Sequence, residues 1–167
     1  SITNTPPARS DHAMASLGGG KVVLFGGGTN SQIFGDTWVF ASKTGWASID
    51  IPSNAKAPSA RCAHAMASMG GGKVLLFGGL GTINFLDGTW VFDARNTGWA
   101  SIDTQAPPTR DSHAMAPLGG GKVLLFGGDG AGDQQLDDTW VFRQSDKDWA
   151  QLNIQATIDS PTAREDH

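Results

Sequence analysis

Three short copies of one pattern carry the side chains best suited to chemistry. Arg9 precedes His12, Arg61 precedes His64 and Arg110 precedes His113, each by three residues. An imidazole can bind a metal or move a proton, so several gathered at one point would invite a metal. One histidine at the same place in every copy is instead what an architectural hydrogen bond would produce, and that is the expectation here. The arginines allow two readings. Each guanidinium can tie down its own loop through the acidic residue ahead of a Thr-Trp pair (Asp36, Asp87, Asp138), or the three can converge on an anionic ligand such as a carboxylate.

Between arginine and histidine the letters change: Ser10–Asp11, Cys62–Ala63, Asp111–Ser112 and, at the end of the chain, Glu165–Asp166. A second variable stretch reads GTNSQIFGD (28–36), LGTINFLDG (80–88) and DGAGDQQLDD (129–138). Variation on a fixed frame is how repeat scaffolds encode specificity. The candidate ligand-binding residues are therefore Arg9, Asp11, Asn30, Gln32, Phe34, Arg61, Asn84, Phe85, Arg110, Asp111, Gln134 and Gln135. Amides beside aromatic rings suit a peptide or a sugar. Asp129, Asp133 and Asp137 are weak oxygen ligands for calcium, because their spacing does not match an EF-hand loop. We expect no metal and no cofactor. Cys62 reads as a small, nearly buried residue, since only Arg61 is at hand to lower its pKa.

The elements that must position these residues repeat as well. Stretches beginning at Ala8, Ala60 and Thr109 align from ARSDHAMASLGGGKVVLFGG onward, and each continues to a Thr-Trp-Val-Phe segment and a second tryptophan. His12, His64 and His113 are 52 and 49 residues apart, and His167 follows after 54. Within a unit, an Ala-rich segment, a Gly-Gly-Gly turn, an apolar Val/Leu-Phe run, a polar loop, TWVF, a short turn and a final Trp segment read as four short antiparallel strands. No apolar spacing of 3.6 extends over helical length, so essentially no helix is expected.

The doubled glycine after an apolar strand, the tryptophan about a dozen residues later, the second tryptophan after a turn and the leading Arg-x-x-His together resemble the kelch repeat. Gly26–Gly27, Trp38, Trp46 and Arg9/His12 form the first set, with Gly78–Gly79, Trp90, Trp99, Arg61/His64 and Gly127–Gly128, Trp140, Trp149, Arg110/His113 as the others. The resemblance implies an all-β kelch-type β-propeller with three four-stranded antiparallel blades per chain, which we expect to form half of a six-bladed ring. As one unit over 1–167, the blades fall at about 9–52, 61–104 and 110–155, and 156–167 begins a fourth repeat. Small residues on the first strand suit the crowded narrow end of a blade, tryptophans fill the wedge between blades, and Met14, Met66 and Met115 are expected as filler in the same seams.

Three blades alone would leave two apolar faces open, which a lone chain seldom tolerates. The expected cover is a second copy closing a six-bladed homodimer, or further blades of a longer chain. The echo of PPARSDH (6–12) in SPTAREDH (160–167) is expected to mark that joint.

Composition narrows the partners. The charge of −4, from 12 basic and 16 acidic residues scattered along the chain, leaves no footprint for nucleic acid or an anionic membrane. No apolar run spans a bilayer, the start lacks the form of a signal peptide and one cysteine excludes an internal disulfide. A soluble protein is expected, with its compartment undetermined and an extracellular location compatible. Family resemblance also implies functions. Kelch copper radical oxidases depend on tyrosine, which is lacking, while sugar mutarotases would need only polar loop residues. The favoured expectation is a non-enzymatic scaffold presenting one loop face to a protein or carbohydrate. The alternatives are a carbohydrate-active enzyme at the channel mouth and a minimal self-assembling propeller fragment.

Overall fold

The structure, a computed structural model, describes residues 4–132 and 134–153. The start of the fourth repeat, Arg164–His167, and Asp133 lie outside the described residues. The first repeat contains β1 (Ala13–Gly18), β2 (Lys21–Phe25), β3 (Gly28–Thr29), β4 (Gln32–Ile33), β5 (Thr37–Ala41) and β6 (Gly45–Ile49). The second contains β7 (Ala65–Gly70), β8 (Lys73–Phe77), β9 (Thr89–Asp93) and β10 (Gly98–Ile102). The third contains β11 (Arg110–Asp111), β12 (Ala114–Gly119), β13 (Lys122–Phe126), β14 (Asp129–Gly130), β15 (Gln134–Gln135), β16 (Thr139–Arg143) and β17 (Asp148–Leu152). No helix occurs among the described residues, so none is long and apolar enough to cross a membrane.

Each repeat folds into one four-stranded antiparallel sheet, ordered β1-β2-β5-β6, β7-β8-β9-β10 and β12-β13-β16-β17. These are propeller blades. The triple-glycine turn joins the first two strands of each, with φ of 80°, 60° and 74° at Gly18, Gly19 and Gly20, angles that an L side chain tolerates poorly. Register repeats faithfully: Phe25 pairs with Thr37, Phe77 with Thr89 and Phe126 with Thr139. Because strands alternate faces, that register sends Val23 and Phe25 into one seam and Leu75 and Phe77 into the next, all fully buried.

Two apolar cores lie between blades rather than inside them. Phe25, Val74, Leu76, Phe92 and Trp99 fill the seam between the first and second blades, while Phe77, Val123, Leu125, Phe142 and Trp149 fill that between the second and third. Trp99 meets Phe25 edge-on at 5.2 Å and donates its indole N–H to Thr37 Oγ1 of the preceding blade at 2.9 Å. Trp149 repeats both contacts with Phe77 (5.4 Å) and Thr89 Oγ1 (2.9 Å). The first strands β1, β7 and β12 lie side by side, where small residues such as Ala67 permit close approach.

The expectation for the methionines needs correction. Met66 is buried in the first seam and Met115 packs partly into the second, but Met14 is 52% exposed, because its seam would precede the first blade. Leu118 shows the converse. It is 54% exposed, although Leu17 and Met69 at the same position fill the seams that follow their blades.

Candidate functional site

The Arg-x-x-His corner folds against the doubled glycine. Arg9 donates from Nη1 to Gly26 O (2.9 Å) and Asp36 Oδ1 (2.6 Å), from Nη2 to Asp36 Oδ2 (2.8 Å), and from Nε to Pro7 O (3.1 Å). Trp38 Nε1 donates to the same carboxylate at 2.6 Å. Burial alone would push the Asp36 carboxyl up, but hydrogen bonds from Arg9 and Trp38 and the guanidinium charge outweigh it, leaving the pKa below its ordinary value. Blade three repeats the set: Arg110 pairs through both Nη atoms with Asp138, donates to Gly127 O at 3.0 Å and shares the carboxylate with Trp140. Asp138 is likewise held low, burial opposing and its two donors prevailing.

Blade two departs from this pattern. Arg61, 2% exposed, donates to Gly78 O at 2.8 Å, Ser59 O at 3.1 Å and Ser59 Oγ at 3.3 Å, but neither hydrogen bond nor ion pair joins it to Asp87. The expected Arg61–Asp87 tie is thus corrected. Gly88 stands between Asp87 and Thr89, so the carboxylate falls one residue too early and lies exposed. Burial lowers the Arg61 pKa to about 10, opposed by the charge of Asp87.

The histidines meet the expectation only in part: backbone groups of Phe25 lie against His64, and those of Asp111 and Phe77 against His113, where they oppose the fall in pKa. Neither ring nitrogen of His64 or His113 finds a well-formed hydrogen bond among the described residues. The rings pack edge-on against Phe25 (5.7 Å) and Phe77 (5.8 Å) of the preceding blade. Burial first, then the nearby Arg61 or Arg110 charge, lowers both pKa values to about 3, so both are neutral. The doubled glycine makes room for them. A Cβ on Gly26 would lie 2.4 Å from Arg61 O and 2.9 Å from His64 Cε1, and one on Gly27 would lie 2.7 Å from His12 Cβ.

The second variable residue of each corner takes a left-handed backbone: Asp11 (φ 54°), Ala63 (51°) and Ser112 (52°). Such a conformation is costly for a residue with a Cβ and calls for a reason. It links main chains around the narrow end, Ala63 N donating to Asp11 O and Ser112 N to Ala63 O, both at 2.9 Å. A cavity of about 280 Å³ lies beside this chain of bonds, lined by Asp11, His12, Ala63, His64, Ser112 and His113 together with β12 residues. Arg9, Arg61 and Arg110 are not among its lining residues.

The other candidates lie in the loops. Asn30, Gln32, Asn84, Gln134 and Gln135 are exposed, the glutamines on the small hairpins β3-β4 and β14-β15. Phe34 is half-buried with the Arg9 guanidinium 4.2 Å from its ring centre, and Phe85 is half-buried in a bridge to Leu80. Asp111 pairs with Asp129 on β14, Asp137 is exposed, and no metal-binding cluster occurs among the described residues. Cys62 is half-buried. Burial, then Asp11 and Asp111, raises its thiol pKa. Sequence reasoning missed Ser59, whose hydroxyl meets Arg61 where Pro7 and Pro108 stand in the other blades, and missed Thr37 and Thr89 as acceptors across the seams.

Sheets of this order, packed face to face in successive seams, define a β-propeller architecture. Residues 1–167 match the family model described as the KLHDC2/KLHL20/DRC7 Kelch-repeats domain, and the chain belongs to the kelch-repeat family. It is 36% identical over 102 residues to a putative adagio-like protein 2 of Oryza sativa subsp. japonica, covering 58% of this chain and 15% of that protein. An F-box/kelch-repeat protein of Arabidopsis thaliana is 31% identical over 101 residues, covering 54% of this chain and 21% of that protein. The flagellar outer-arm dynein alpha chain of Chlamydomonas reinhardtii is 31% identical over 81 residues, 48% of this chain and 2% of that protein. The chain thus spans a small part of the length of these relatives.

Proposed function

We propose that the chain is a non-enzymatic interaction scaffold, presenting the corner residues and the loops 28–36, 80–88 and 129–138 to a protein ligand. One observation carries this reading. The chemically strong groups of the corner are turned to structural use, with Arg9 and Arg110 neutralised by Asp36 and Asp138 and His64 and His113 buried neutral, while exposed letters vary around them. Membership of a family rich in protein-interaction scaffolds, and a relative named as an F-box/kelch-repeat protein, point the same way.

The propeller is completed by a second copy of the chain, or by further blades of a longer one. Support comes from matching halves. Blade one carries Trp46, whose indole N–H has no acceptor among the described residues, and blade three carries Thr139, whose hydroxyl has no indole donor. Exposed Met14 and Leu118 complement one another in the same sense. Light scattering tests closure: twice the chain mass supports the two-chain ring, and a stable single-chain mass refutes it. Peptide and glycan arrays test the ligand. Peptide binding lost in Asn30→Ala or Gln32→Ala is expected, glycan binding would redirect the assignment to carbohydrate, and turnover lost in Arg110→Gln would favour an enzyme.

A further inference from the structure

The three corners pose one problem and solve it in two ways. In blades one and three, a buried arginine and an indole N–H converge on a single carboxylate. Blade two keeps both residues at the matching positions. Arg61 Nη1 is anchored on Gly78 O as Arg9 Nη1 is on Gly26 O. Trp90 pairs with Leu76 on the neighbouring strand as Trp38 pairs with Leu24 and Trp140 with Leu125. The carboxylate alone is displaced, because Gly88 occupies the position of Asp36 and Asp138 immediately before the threonine. Gly88 adopts φ of 96° and lies against the indole, a Cβ built on it falling 3.0 Å from Trp90 Nε1. Trp90 has no acceptor among the described residues, and Arg61 has no carboxylate, only Ser59 and backbone carbonyls.

We propose that blade two carries a carboxylate-binding slot in which Arg61 and the Trp90 indole grip, across Gly88, the group that Asp36 and Asp138 supply internally in the other blades. A guanidinium fork beside an N–H donor matches the two oxygens of a carboxylate, and burial such as that of Arg61 strengthens such bonds. Gly88 leaves the slot without a side chain of its own. The ligand is a free small carboxylate or the acidic side chain of a bound polypeptide, two sources of one chemistry. The slot stands on its own geometry, independent of the scaffold reading above.

The indole N–H resonances of the full chain read the slot directly, since each of the six tryptophans gives its own signal. Two probes, sodium formate and N-acetyl-aspartyl amide, are titrated at constant ionic strength against a chloride control. The expected result is a saturable downfield shift of Trp90 Nε1–H, with Trp38 and Trp140 unmoved because their carboxylates are built in. A response to formate alone makes the slot a site for small free anions, and a response to both shows that a side chain can reach it. Trp90→Phe should weaken formate binding, read through thermal stabilisation, by about tenfold, the loss of one charge-assisted hydrogen bond. Deletion of Gly88 brings Asp87 into the register of Asp36 and Asp138, and should abolish the response while raising Tm. No saturable shift, equal shifts at all six indoles, or a persistent response after the deletion would each overturn the proposal. So would a Trp90 signal already downfield that moves back in Asp87→Asn, because the chain would then be filling its own slot.

Discussion

Replacing Thr89 with valine keeps the side-chain shape and removes the one atom, Oγ1, to which Trp149 Nε1 donates at 2.9 Å across the seam. Trp149 is 5% exposed, so the orphaned N–H cannot turn to bulk water. Leaving a buried donor unmet costs about 1–3 kcal/mol, and at this size each kcal/mol lowers Tm by about 2–4 °C, so a fall of roughly 2–12 °C is expected. Thr37→Val should match it, since Trp99 makes the same bond at 2.9 Å. Thr139→Val is the internal control. Thr139 has the same register opposite Phe126 but no indole donor among the described residues, so in a solitary chain its loss should stay within about 0.5 kcal/mol. In a two-chain ring, the partner's copy of the first-blade tryptophan would reach it, and Thr139→Val would become as costly as the others, with a Tm that depends on concentration. Urea and thermal unfolding of the three variants, with light scattering on each, decide the matter. Equal, negligible losses at Thr37 and Thr89 would refute the claim that the indole bonds hold the seams.

Two further expectations concern charge. His64 and His113 have folded pKa values of about 3 against an ordinary 6.5, so the unfolded chain binds more protons between those limits and stability falls as pH drops below 6.5. The slope rises from half of about 1.4 kcal/mol per pH unit per group at pH 6.5 toward its full value, so the pair loses roughly 3 kcal/mol from pH 6.5 to 5. Urea midpoints at the two pH values should show the loss about halved in His64→Phe. Asp36 and Asp138, held below 3.8, act in the same direction at lower pH, their contribution being lost as pH falls through their folded values. Asp138→Asn should cost about 3 kcal/mol in urea unfolding by stranding a fully buried Arg110. Asp36→Asn should cost less, since its side chain is 36% exposed, and Asp87→Asn should cost almost nothing.

The blades were legible because local rules agree in every repeat: a triple glycine that turns, alternation that buries Phe25 and Phe77, and tryptophans at matching positions. What bridges blades was much less so. Trp99 and Thr37 are 62 residues apart, and no local pattern names a threonine as the acceptor of a distant indole. The histidines were only half legible because recurrence reveals a shared role without its chemistry, and that role includes ring packing on Phe25 and Phe77. Asp87 was misjudged by one letter. Grouping it with Asp36 and Asp138 overlooked Gly88, which holds the place of their carboxylates before the threonine, and in a strand-bound corner a shift of one position moves a carboxylate out of reach.

The left-handed corner at Asp11, Ala63 and Ser112 has a consequence for how such a protein can change. The bonds Ala63 N to Asp11 O and Ser112 N to Ala63 O run from peptide to peptide and ignore what each side chain is. An aspartate, an alanine and a serine already serve interchangeably there beside one cavity. Mutation can therefore rewrite the lettering around that opening one blade at a time while its frame stays put, which makes the rim a natural place to graft a new specificity.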